Sequence, residues 1–304
     1  MRHLIRQQPL WWLVVGATLL ATLPSWAGGA LNLELSARTT NPRQRIDAAS
    51  RAIASRELGP DDLAMAYNNR AWGWIELGSY DLALADLDQA LELSPGNVWA
   101  YINRSLVLVE NGLPMAAVEA CNRAADLAPD NPWIYVNRGL AWNDLLQFDR
   151  ALADSNLALE LDPGNALAYI NRGHAWHEKG YYPQALSDCN RALELAPDHP
   201  IVNNSLAYLL ATCPMTSLRD GQRAVRLAEK AIHLAPHSLM IWDTLAMAYA
   251  EAGDLTKAVQ TQRQAIKLIR ASGTPREQKR LDSYLSHLDE LENTRPGKKL
   301  QAPD

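Results

Sequence analysis

His174 and His177 stand three residues apart, and Glu178 follows directly. On a helix this spacing turns both imidazoles to one side, as a metal site or a proton relay requires. It is only part of a site. HExxH is absent, and a third ligand has to come from elsewhere in the chain, with Asn143 and Tyr208 as the candidates. The plainer alternative is a polar patch on a helix face. Cys121, Cys189 and Cys213 form no CxxC pair, and no Ser or Cys is matched with a His and an acid as a nucleophile needs. Neither GxSxG, a P-loop nor a strand-borne GxGxxG occurs. The expectation is a protein with no enzyme activity, no cofactor and no resident metal.

Composition sets the class. The chain has 304 residues, 48% of them hydrophobic and 21% charged, enough to bury a sizeable core and too apolar for a disordered chain. It carries 10 Trp and 10 Tyr but a single Phe. Only one stretch is long and apolar, which argues against a polytopic membrane protein. That stretch, Leu10 to Leu23, follows a basic segment with Arg2 and Arg6 and precedes Ser25-Trp26-Ala27. These are the three parts of a Sec-type secretory signal over residues 1–27, with cleavage after Ala27 and export to the periplasm or beyond the cell. Its apolar run is shorter than the roughly 20 residues of a spanning helix; the alternative is an uncleaved N-terminal membrane anchor. The mature chain then holds 27 Lys and Arg against 34 Asp and Glu, a net charge of −7. With no basic run before Lys298-Lys299, nucleic acid is excluded as a partner.

An internal repeat dominates what remains. Asn69-Arg70, Asn103-Arg104, Asn137-Arg138 and Asn171-Arg172 recur every 34 residues, as do Tyr67, Tyr101, Tyr135 and Tyr169, and Pro95, Pro129, Pro163 and Pro197. Two alanine rows keep the same step: Ala83, Ala117, Ala151 and Ala185, then Ala90, Ala124, Ala158 and Ala192. Within each period the apolar spacing is helical. A first helix (A) ends near Gly78, Gly112 or Gly180; a second (B) starts near Tyr80, Pro114, Phe148 or Tyr182 and stops before the Pro. The small residues mark close helix crossings.

This pattern resembles the tetratricopeptide repeat (TPR) family. Counting from the first residue of each helix A, the family aromatic at position 4 is met by Tyr67, Tyr101, Tyr135, Tyr169 and Trp242. The small residue at position 8 is met by Ala71, Ser105, Gly139, Gly173, Ala207 and Ala246, and the aromatic at position 11 by Trp74, Trp142, Trp176 and Tyr249. Departures are the Arg residues at position 7, Leu146 in place of a Gly, and a last unit without its Pro. The resemblance implies an all-α, right-handed superhelical solenoid of helix-turn-helix repeats, and no strands. Six units are expected at 64–97, 98–131, 132–165, 166–199, 200–238 and 239–272. The fifth is about five residues too long, its helix A stopping at Cys213-Pro214 and its helix B starting after Asp220-Gly221. It resembles a variant recurring among exported bacterial TPR proteins. Around the repeats the expectation is a linker at 28–42, an N-terminal capping helix within 43–63, a C-terminal capping helix at 273–292 and a disordered tail at 293–304.

In the family, positions 2, 5, 6, 9, 12 and 13 of helix A face a concave groove. Carried over, the groove residues are Met65, Asn69, Trp72, Trp99, Ile102, Asn103, Leu106, Trp133, Val136, Asn137, Leu140, Asn171, His174, His177 and Tyr208. Adjacent exposed apolar residues mark binding surfaces, and Trp and Tyr anchor interfaces; the alternative is that these side chains pack on neighbouring helices. The Asn row at position 6 reads either as a ladder that holds a peptide backbone by paired donors and acceptors, or as bridges between adjacent helices. The family's Lys/Arg carboxylate clamp at positions 2, 5 and 9 is absent. Arg70, Arg138 and Arg172 are matched by Asp86, Asp154 and Asp188 in helix B, which favours internal pairing over ligand binding; Arg104 lacks that Asp, and Glu119 is the substitute. Cys121 and Cys189, both at position 24, read as small core residues. Sorting the aromatics this way leaves Trp72, Trp99, Trp133 and Tyr208 without a core role. The resulting reading is a protein-binding scaffold that takes extended segments of other proteins in an apolar, Asn-lined groove. The alternatives are a self-associating envelope protein and, further off, a metal-dependent enzyme built on His174 and His177.

Overall fold

The computed structural model describes residues 28–236, 238–272 and 275–293. The expected signal at 1–27 and residues 294–304 of the tail lie outside them. The described residues form fifteen α-helices, one 3-10 turn and no strands. The first two are α1 (Gly29–Arg38) and α2 (Pro42–Ala54). Repeat helices follow in A/B pairs: α3 (Pro60–Glu76) with α4 (Tyr80–Leu93), α5 (Val98–Glu110) with α6 (Pro114–Leu127), and α7 (Pro132–Asp144) with α8 (Phe148–Leu161). Next come α9 (Ala166–Glu178) with α10 (Tyr182–Leu195), α11 (Pro200–Thr212) with α12 (Gly221–Leu234), α13 (Leu239–Glu251) with α14 (Leu255–Ser272), and finally α15 (Pro275–Asn293). The chain divides into two compact units, one ending at Val107 and one starting at Leu108.

Local chemistry explains the boundaries. Proline opens α2, α3, α6, α7 and α11, where a missing N–H costs nothing. Side-chain caps also fix starts: on α7 Asn131 accepts from the Trp133 N–H, and on α9 and α12 Asn165 accepts from Ala168 and Asp220 from Arg223. Helices A end where the chain turns left-handed, at Gly78, Gly112, Gly180 and Gly253. In the third repeat Leu146 takes the same turn, at φ 57°, with its side chain exposed. Both alanine rows are fully buried in all six repeats, from Ala83 and Ala90 to Ala258 and Ala265. Any larger side chain there would force the paired helices apart.

The N-terminal region differs from expectation. Residues 29–38, expected to be a linker, form α1, which packs on α2 and α3. Its buried face is Gly29, Asn32, Leu33 and Ser36. The spacing is helical, but only one of the four is a large apolar residue, so no hydrophobic pattern betrays it. Ser36 accepts from Asn69 at 2.9 Å, and the Gly29 N–H donates to the Glu57 carboxylate at 2.6 Å. Helix α2 overlaps only the first part of the 43–63 span expected for the capping helix, ending at Ala54, and α3 begins inside that span, four residues before the first repeat was expected to, on Pro60 with Asp61 and Asp62 in its first turn.

The fifth repeat's long turn has its own fastenings. Arg219 pairs with Glu251 at 3.1 Å, both side chains almost wholly buried, and donates to the Cys213 carbonyl. A Cβ at Gly221 would lie 2.5 Å from the Ala252 nitrogen, so only glycine lets α12 start this close to the end of α13.

Candidate functional site

The arginines at position 7 are structural. Arg70, Arg138 and Arg172 each fork onto Asp86, Asp154 and Asp188 with two hydrogen bonds of 2.7–2.8 Å. Each guanidinium also lies over the Tyr one turn earlier, at 5.3–5.4 Å from the ring centre. The remaining amino group reaches the preceding helix B: Arg138 to Asn122, Arg172 to Asn156, and Arg70 to Ser50 of α2. One side chain thus ties three helices. Arg104 is a correction. Its partner is Asp88 of the preceding helix B at 3.1 Å, not Glu119. It keeps the backward arm of the staple and loses the forward one.

The expected groove residues separate into two layers. In the first unit Met65 and Trp99 are exposed, Trp99 by 52%. Asn69, Trp72 and Leu106 are half-buried, and Ile102 and Asn103 are buried. In the second unit Trp133 is exposed by 38% and His174 is exposed; Leu140, His177 and Tyr208 are half-buried, and Val136, Asn137 and Asn171 are buried. Position 2 therefore stands out to solvent, whereas positions 5 and 6 lie in the seams between neighbouring helices A.

The Asn row works in those seams. Asn69 donates to Ser36, Asn103 to the Asn68 side chain at 2.9 Å, and Asn171 to the Val136 carbonyl at 2.8 Å. Each of these amides spends a donor on the helix before it. Of the two readings of this row, bridging is the one these three donors perform. Asn143 extends the pattern with a bond to the Asn171 carbonyl.

His174 and His177 meet aromatic rings. The His177 ring lies 5.4 Å from Tyr182 and 6.1 Å from Tyr208, both edge-on, and its Nδ1 is 2.9 Å from Glu178. His174 lies 6.4 Å from Phe148. It is open to solvent yet has protein on most sides, and lost solvation, the largest influence, pulls its imidazole below the ordinary value. The hydrogen bond from His177 holds the Glu178 carboxyl below its ordinary value. Among the described residues no group of three or more His, Cys, Asp or Glu is placed to hold a metal ion. The cysteines are unbridged and buried, and burial pushes the Cys189 thiol up to about 12.

One device went unread in the sequence. The position-4 side chain donates to the carbonyl of the Pro that closes the preceding repeat: Tyr135 to Pro129, Trp242 to Pro236, and in the fifth repeat Asn203 to Pro197. Asn203 breaks the aromatic pattern but keeps the bond. The signal was a fixed six-residue gap from each Pro to a side chain that can donate.

Three stretches, residues 70–132, 166–199 and 241–272, match family models described as tetratricopeptide repeat. The chain is a tetratricopeptide repeat protein. The fold agrees with solved TPR structures. A TPR protein from Parabacteroides merdae superposes with a TM-score of 0.60 at 16% identity, covering 87% of this chain and 99% of that one. For a thermophilic TPR protein of Thermus thermophilus the values are 0.54 and 22%, over 61% and 98%. Pseudomonas aeruginosa pilF gives 0.51 and 19%, over 75% and 98%. No curated protein matches by sequence. TPR arrays are protein–protein interaction scaffolds, and the fold of this one is an all-α TPR solenoid. Among the described residues no helix is long and apolar enough to cross a membrane.

Proposed function

We propose that this TPR protein holds extended segments of other proteins against the exposed faces of its helices A, without catalysing a reaction. One observation carries the reading. Position 2 of helix A is a large apolar residue in every repeat, and it is exposed in five of the six: Met65, Trp99, Trp133, Ile201 and Met240. Single exposed apolar residues need no explanation. Within each unit, the same exposure at one register from repeat to repeat suits a ligand that runs across the helices A of that unit. The buried Asn residues support this surface from below by fixing the spacing of the helices that carry it. Position 9 lines the next row with Trp72, Leu106, Leu140, His174 and Tyr208.

The test is a variant carrying Trp99→Ala and Trp133→Ala. Both side chains are substantially exposed, so the pair should lower stability by no more than about 1–2 kcal/mol while capture of partners from native extract is lost. Unchanged capture would sink the reading. We also propose export through the 1–27 signal; a mature protein whose first residue is not Gly28 would count against it.

A further inference from the structure

We propose that this TPR protein associates with a second copy of itself, the basic outer face of α14 in one copy docking on the acidic outer face of α4 in the other. The contact uses helices B and does not rest on the groove reading.

Both faces follow from helix geometry at one register. Residues three, four and seven apart share one side of a helix, so positions 18, 22, 25 and 29 of a repeat lie along a single stripe of helix B. On α4 and α14 all four are exposed. The α4 stripe is Asp81, Ala85, Asp88 and Glu92, on a helix with no Lys or Arg. The α14 stripe is Thr256, Gln260, Arg263 and Lys267, continued by Arg270, on a helix with no Asp or Glu. The sign changes in steps along the chain. At position 29 the six repeats carry Glu92, Asp126, Glu160, Glu194, His233 and Lys267.

The repeat fold does not account for these charges. Position 25 serves the arginine staple in the early repeats, where Asp88 accepts from Arg104, Asn122 from Arg138 and Asn156 from Arg172. Position 29 has no such duty on α4 or α14. Among the described residues no ion pair holds Asp81, Glu92, Lys267 or Arg270. Arg263 bonds Glu292 of α15 at 2.8 Å, yet its side chain stays 64% exposed, and Asp88 stays 60% exposed beside Arg104. Surface pairs of this kind are weak and leave both groups available.

The match between the two faces names the occupant. Asp88 and Glu92 stand at positions 25 and 29, one turn apart, and Arg263 and Lys267 stand at the same two positions. Two helices laid side by side bring both carboxylates against both cations in one alignment. Like faces repel, so only unlike faces meet. Leu82, 51% exposed next to Asp81, offers apolar area beside the charges. Every copy carries both faces. An anionic partner of another kind would use α14 alone and leave the acidic match on α4 without a purpose.

Sedimentation velocity of the full chain at rising concentration tests this. In dilute buffer the mean mass should grow with concentration, and raising the salt to about 500 mM should weaken association at least about tenfold. Two variants reverse one face each: Asp81→Lys with Glu92→Lys, and Lys267→Glu with Arg270→Glu. All four side chains are exposed, so both variants should keep the circular dichroism spectrum of the wild type. Either one alone should stay monomeric, because its two faces now share a sign. Mixed in equal amounts, they should associate again within about threefold of the wild-type affinity, since the unaltered α14 of one meets the unaltered α4 of the other. If a double variant unfolds, Glu92→Lys and Lys267→Glu singly replace it, with smaller losses expected. Wild type that stays monomeric up to about 0.1 mM overturns the proposal. So does association that ignores salt or persists in either variant, as contact through the apolar Leu10–Leu23 run would. Variants that lose association and do not regain it on mixing overturn the pairing of these two faces.

Discussion

Arginine at position 7 is the residue that most separates these repeats from the family pattern, and its geometry makes its cost testable. Arg138 forks onto Asp154, covers Tyr135 and reaches Asn122, with its side chain mostly out of water. Removing it strands a buried carboxylate, which costs about 3–5 kcal/mol. Arg138→Ala and Asp154→Ala should therefore each destabilise strongly, and the double variant by much less than the sum, a coupling of about 1–3 kcal/mol in denaturation. Additive effects would mean that the fork contributes nothing specific. Leu146 gives the opposite expectation. It holds a left-handed turn that glycine holds in other repeats, and its exposed side chain offers little in return. Leu146→Gly should stabilise by about 0.5–1 kcal/mol, the strain relieved less the entropy glycine adds to the unfolded chain. A lower denaturation midpoint would refute this. Both residues were visible as departures in the sequence. Three of the four arginine partners were also legible, because Arg and Asp fall in one repeat at a fixed offset. The partner of Arg104 was not, since Asp88 belongs to the repeat before it and no Asp marks the forward position.

The repeat helices were readable because their boundaries are locally encoded, by Pro at starts, Gly at ends, and alanine where helices cross. Helix α1 was not, because it buries Gly, Asn, Leu and Ser against α2 and α3. The shape of those small residues, and hydrogen bonds to Asn69 and Glu57, do what apolar area does elsewhere. Helix α15 is fastened by another polar device. His287 lies 3.3 Å from Asp243 of α13, and Gln262 of α14 bonds both Asp243 and the Tyr284 carbonyl. The hydrogen bond to Asp243 raises the His287 imidazole above its ordinary value, against the desolvation that lowers it, and Glu290 adds to the rise. The stabilisation is complete below the unfolded pKa of about 6.5 and is lost as pH climbs through the raised folded value. Amide exchange in α15 should accelerate as pH rises above about 6.5, beyond the intrinsic rate change, and His287→Gln should abolish that excess. Excess exchange that persists in His287→Gln would refute the latch.

Across the whole molecule, sequence register yields the candidate surface but not its depth. Positions 2, 5 and 6 look alike as groove positions in the sequence. Only packing shows that position 2 stands in solvent while 5 and 6 fill the seams. The central claim is that partners bind across helices A. It is tested most directly by placing a photo-crosslinking residue at position 133 of helix α7 in one preparation, and at the more exposed position 115 of helix α6 in another. After capture of partners and irradiation, position 133 should yield covalent adducts whose attachment sites fall in extended segments, and position 115 should yield few. Adducts at 115 and none at 133 would contradict the account.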